Sequence, residues 1–211
     1  MTDASSALQT LEQDLREIFG ARLQSLVRYG SKARLIHALA VVDSLTSADL
    51  SACATRVNAW HDEHLATPLV LPAAELARSL DVFPFELSAI VSDHVVIAGK
   101  NPFTGLHVDP SDLRWACEVQ ARSHLLHLRQ GYIEARGRDD ALSVLIVNSA
   151  AAWASLQENI ARLENKAATT DEVTRLAGVK EISNDEAARI FPKYLEDAER
   201  LTAYVDKWSA R

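Results

Sequence analysis

The chain changes character at one dipeptide. Asp109-Pro110 joins a residue that caps helices to the residue pre-set for the first helical position, and the remaining hundred or so residues read as helix almost without a break. Leu113, Cys117, Gln120, His124 and Leu128 give one face of a long helix running to about Ile133. The loop "ARGRDD" leads to a second, with Leu142, Leu145, Ser149, Trp153, Leu156, Ile160 and Leu163 in near-heptad register. A short helix, Glu172–Ala177, stops at Gly178. Ser183 and Glu186 then form a capping box for a last helix facing inward with Ala187, Ile190, Tyr194, Leu195, Leu201, Val205 and Trp208.

Before Asp109 the periods alternate. Leu8, Leu11, Leu15, Ile18 and Phe19 mark an amphipathic helix stopped by Gly20. Leu26–Tyr29 reads as a strand, Gly30-Ser31 as a tight turn, and His37–Val42 as a second strand. Thr46 with Asp49 caps a helix that places Leu50, Cys53, Val57, Trp60 and His64 on one face. A brief strand at Leu69–Leu71, a short helix through Leu80, and β-rich pieces at Phe85–Ile90 and His94–Ile97 complete this half. The pattern predicts an α+β chain: a mixed sheet with flanking helices over residues 1–108, then a helical bundle over 109–211, with no low-complexity linker.

Charge narrows the function classes. A formal net charge of -7 over 211 residues leaves no basic field for polyanions, so general nucleic-acid binding is not expected. Cys53 and Cys117 fall within apolar helical patterns without metal-ligand spacing, and are expected as buried free thiols of a reducing, cytoplasmic environment. The opening "MTDASSALQT" lacks a basic-then-apolar leader profile, and no apolar run reaches membrane-spanning length. Trp60, Trp115, Trp153 and Trp208 fall at core-type helical spacing and read as packing anchors.

The ordered pieces "YGS", "HALAVVDSLTSADL", "SLDVFPFEL", "GKNPFTGL", "DLRWACEVQARSHLLHLRQGYI" and "YLEDAERLTAYVDKW" resemble bacterial nucleotidyltransferase-superfamily proteins that join a minimal nucleotidyltransferase-like domain to a C-terminal helical domain. The resemblance implies a Gly-Ser turn that holds nucleotide phosphates, placing Gly30, Ser31 and Lys32 as nucleotide-binding candidates. It also implies two acids at i and i+2 on the next strand that bind magnesium, and a third acid on a later strand that helps activate the acceptor.

The first half of that chemistry can be checked on the residues themselves. Side chains at i and i+2 share a strand face, so an acid-x-acid pair grips one metal. Here no acid occurs between Ser31 and Asp43, and the same-face positions before Asp43 are Val41 and Leu39. His37 shares the parity but stands roughly 20 Å away along a strand. Asp43 and Glu86, the latter expected on a strand, are the remaining catalytic candidates; both have structural readings, Asp43 as a strand-end residue and Glu86 as a salt-bridge partner for an arginine of the helical domain. Lys32 and Arg34 can contact phosphate or simply solvate a loop. No metal site and no cofactor are expected; magnesium and ATP enter only if the chain is an active transferase passing a nucleotide to an acceptor hydroxyl. The expected role is a degenerate nucleotidyltransferase fold with a nucleotide or protein partner.

A second resemblance lies in the helical half. Arg122-Ser-His124-Leu-Leu-His127 is similar to the short Arg–His signature of HEPN-type ribonucleases, which implies phosphate holding by the arginine and acid–base work by the histidine. On a helix, however, residues five apart are offset by about 140°. The structural alternative puts Arg122 on a carboxylate, His127 at the surface, and His124 in the core.

Overall fold

The computed structural model describes residues 4–30, 35–166 and 171–208. Its chain contacts divide into two units, 1–108 and 109–211.

The first unit opens with helix α1 (Ala4–Phe19), whose buried Ala7, Leu8, Leu11, Leu15 and Phe19 follow the expected stripe. A 3-10 turn at Gly20–Arg22 feeds strand β1 (Leu23–Tyr29), which begins three residues earlier than the apolar run suggests. Strand β2 (His37–Val42) pairs antiparallel with β1. Helix α2 (Ser47–Ala54) starts at a true capping box, in which Thr46 Oγ1 accepts from the Asp49 N–H and Asp49 accepts from the Thr46 N–H. The single helix expected here is two, because α3 (Val57–Asp62) begins anew after Thr55 and Arg56. Cys53 and Trp60 still face the core, but Leu50 is exposed and His64 lies past the helix in a left-handed conformation. Strand β3 (Leu69–Pro72) leads into α4 (Ala73–Ser79).

The segment expected as strand at Phe85–Ile90 is instead helix α5 (Pro84–Ser92). Pro84 occupies its first turn and Glu86 follows there, both favourable at a helix N-terminus. A short apolar run does not by itself separate strand from helix, and here the proline decides. Strand β4 (His94–Gly99) closes the unit.

The sheet order is β3-β2-β1-β4, with β1 antiparallel to both neighbours and β2 parallel to β3. Both faces of its centre are covered. Leu26, Ala38, Ala40 and Val42 pack against Leu11, Leu15, Phe19 and Trp60. Val27, Leu39 and Val41 pack against Leu76, Leu80, Leu87, Ile90 and Phe103. Two covered faces explain why β2 reads as an unbroken apolar run rather than an alternation.

The second unit consists of α6 (Pro110–Ala135), α7 (Asp139–Leu163), α8 (Glu172–Ala177) and α9 (Asn184–Lys207). Asp109 caps α6 by accepting from the Ser111 N–H at 2.7 Å, with Pro110 at the first position. The three long helices pack on one another around Leu128, Ile146, Trp153, Phe191 and Tyr194, and α8 adds Val173 and Leu176. The ridge of α6 is Leu113, Cys117, Ala121, Leu125 and Leu128; Gln120, expected inside, is exposed. Trp60 and Trp153 are buried anchors as expected, whereas Trp115 is exposed and Trp208 half-buried. Both cysteines are free and buried, and burial pushes the Cys117 thiol up to about 12. Among the described residues no helix is long and apolar enough to cross a membrane.

Candidate functional site

Gly30 follows β1 with φ +69, a left-handed conformation that favours glycine. Its N–H, the group a phosphate cradle would use, already donates to the Asp93 carbonyl at 3.2 Å. Ser31 and Lys32, with Arg34, lie outside the described residues. Around Gly30 the sheet brings together side chains that sequence spacing does not join. Tyr29 pairs across the ladder with His37 on one side and His94 on the other. The Tyr29 and His37 rings lie 5.5 Å apart. His94 contacts the Val91 carbonyl through Nδ1 at 3.0 Å and Asn101 Oδ1 through Nε2 at 3.2 Å, and its ring meets Phe103 edge-on at 4.8 Å. Asn101 Oδ1 in turn accepts from the Phe103 N–H. The sequence signals this arrangement only through the turn-rich "NPF", because His94 reaches Tyr29 through strand register alone.

Asp43 is at the other end. The ladder pairs Tyr29 with His37 and Leu23 with Val42, so Asp43 follows β2 beside Arg22, roughly 20 Å of strand from the Gly30 end. It is exposed, its N–H donates to the Arg22 carbonyl at 2.8 Å, and its Oδ1 accepts from Gln24. This is the strand-end role. The carboxylate that dominates this corner is Asp49, which takes both arms of the Arg22 guanidinium at 2.7 and 2.8 Å and also the Thr46 hydroxyl. Those partners hold its carboxyl well below the usual range.

Leu39 and Val41, which precede Asp43 on its strand face, are 0% and 2% exposed within the apolar cluster under α4 and α5. Neither side chain can ligate a metal. Glu86 stands exposed on the first turn of α5 rather than on a strand, and forms no ion pair among the described residues. Among the described residues no three of His, Cys, Asp and Glu cluster as metal donors, and residues 31–34 contain none of these types.

In the second unit, Arg122 is engaged twice, by Glu118 at 3.0 Å and Asp206 at 2.5 Å. His127 is exposed, and His124 turns inward against Trp153 and Tyr194, with ring centroids at 4.9 and 6.4 Å. Arg122 is thus in a salt-bridge network and the two histidines look in different directions. An open cavity of about 410 Å³ is lined by Trp153, Gln157, Asp171, Asp197, Arg200 and Tyr204. Its carboxylates are already used: Asp171 caps α8 and accepts from Gln157, and Asp197 holds Lys193 and Arg200.

No family model matches the chain, and no curated protein sequence matches it. Among solved structures it is similar to the spectinomycin adenyltransferase of Enterococcus faecialis, determined with ATP and spectinomycin, at 10% identity and a TM-score of 0.44, covering 90% of this chain and 98% of that one.

Proposed function

We propose that the first unit is a nucleotidyltransferase-type scaffold that has lost magnesium-dependent transfer and serves as a binding module for a nucleotide or a protein partner. One observation carries this reading: the strand positions that would hold the acidic pair are Leu39 and Val41, sealed in apolar packing. A magnesium ion held there would need oxygen ligands, and leucine and valine side chains offer none. Of the two candidate acids, Asp43 sits at the far end of the sheet from Gly30, and Glu86 stands on helix α5 rather than on a strand. A retained nucleotide contact falls to Ser31 and Lys32, because the Gly30 amide is committed to Asp93.

Calorimetry with ATP, with and without magnesium, tests the reading. The expected result is weak or no binding with no metal-dependent gain, and Lys32→Ala abolishing whatever binding is seen. A clear magnesium-dependent affinity, or nucleotide transfer to an acceptor hydroxyl lost in Asp43→Asn or Glu86→Gln, would restore the active transferase.

A further inference from the structure

Where α6 turns into α7 beside Pro192 of α9, the second unit holds a cavity of about 170 Å³. Its floor is apolar and closed: Leu142 and Phe191 are 6% and 4% exposed. Tyr132 stacks on Phe191 to form one wall, with ring centroids 4.7 Å apart and planes within 8° of parallel. A cavity of about 150 Å³ is enough for benzene, so the body of a ligand here is limited to one ring or a short alkyl chain.

The rim carries oxygen. Asp139 lines the cavity from the first turn of α7 and is exposed. Its neighbour Asp140 is met by Arg138, Nε to Oδ1 at 4.0 Å, whereas among the described residues no side chain pairs with Asp139. The second acceptor is a backbone carbonyl. A helical carbonyl points along the axis toward residue i+4. For Ala188 of α9 that residue is Pro192, which has no N–H to give it. Ala188 and Pro192 both line the cavity and both are exposed, so the oxygen between them stands at the mouth, with the apolar residues beneath.

We propose that this cavity binds a small primary amine in its ammonium form. The apolar body rests on Leu142 and Phe191, and the head is held at the mouth by the Asp139 carboxylate and the Ala188 carbonyl. An ammonium group has three donors and no acceptor, which matches two acceptors that lack donors of their own. Its bond to a carboxylate is charge-assisted and therefore the strong one. The polarity of the cavity selects a free amine. A lysine side chain of a protein would arrive head first and carry its charge onto the apolar floor, where nothing pairs it. A free amine enters by its tail and leaves the charge at the mouth. An anion would meet Asp139, and the one cation of the lining, Arg138, leans toward Asp140. Every lining residue belongs to the second unit, so the site is independent of the nucleotide reading of the first.

Benzylammonium is the probe, titrated into the full chain at neutral pH and followed by backbone amide NMR. Saturable shifts are expected around the cavity, at Asp139, Leu142 and Phe191, with a Kd of roughly millimolar, as suits so few atoms. Benzyl alcohol has the same shape without the charge and should bind at least about tenfold more weakly, and benzoate should not bind. Asp139→Asn should cost the same factor, whereas Asp140→Asn leaves the affinity nearly unchanged. Pro192→Ala, which gives the Ala188 carbonyl a donor, should weaken binding while raising the melting temperature. If Asp139→Asn lowers the melting temperature, Ala188→Leu repeats the test by filling the mouth without touching a charge. Absence of saturable shifts, equal affinity for benzyl alcohol, tighter binding of benzoate, or Asp139→Asn and Ala188→Leu variants that bind as well as the wild type would overturn the proposal.

Discussion

At His124 a proton has no place to go. The ring lies edge-on to Trp153 of α7 and tilted against Tyr194 of α9, whose hydroxyl is occupied by Ser149. Its Nε2 and the Trp153 Nε1 are buried without a hydrogen-bond partner. The effect of His127, on the same helix, is unfavourable to a proton on the ring. Burial, then His127, lowers His124 to about 4 from an ordinary 6.5. The unfolded chain takes up a proton near 6.5 while the folded one does not until about 4, so stability is full above 6.5 and falls as the pH drops through that window. The loss should be on the order of 2 kcal/mol once solvent access to the ring is discounted. Denaturant titrations at stepped pH should show this slope in the wild type and its disappearance in His124→Phe; an unchanged slope in the variant would assign the effect elsewhere. This inward place is legible in the sequence, because His124 falls on the apolar face of α6. The sequence pattern cannot show that Arg122, two residues earlier, is claimed by Asp206, since that contact comes from a helix 84 residues later.

Among the elements, capped helices are the most legible. Thr46 and Asp49, Asp109 and Pro110, and Ser183 all start helices where their chemistry demands. Short apolar segments are the least. Phe85–Ile90 has the aromatic and branched residues of a strand, yet Pro84 gives it a helix N-terminus, and the turn of α5 lets Leu87 and Ile90 seal the sheet. That substitution of helix for strand is why Glu86 stands exposed on a helix rather than on a strand. Register is likewise hidden in the sequence: only the observed ladder shows that Gly30 and Asp43 stand at opposite ends of β2. The tightest point of the ladder is Gly99, with φ +76, where a side-chain Cβ would fall 2.0 Å from the Gln24 carbonyl oxygen. Gly99→Ala must strain the left-handed backbone and push β4 off β1, at a cost of about 3 kcal/mol. Thermal melts should show the loss, and hydrogen exchange should place it at β4 first. A variant as stable as the wild type would mean that β1 yields at the bulge beside Ser25.

For the molecule as a whole, the change of periodicity at Asp109 has an energetic counterpart. The clusters built on the sheet are closed by residues before 109, with Trp60 under one face and Phe103 under the other. The cluster around Trp153 is closed by residues after it, with α8 covering the side that the three long helices leave open. A hydrophobic core that is complete within its own segment supplies the burial on which independent folding depends, and about a hundred residues suffice for it. We therefore expect the fragment 109–211 to be helical by circular dichroism and to unfold in one cooperative denaturant transition. It should also keep the His124 signature, becoming less stable as the pH falls below 6.5, because Trp153, Tyr194 and His127 are carried by α7, α9 and α6. A fragment with helical content but no cooperative transition would show that the second core needs residues 1–108 to become fixed. A cooperative fragment without the pH slope would instead remove His124 as its source.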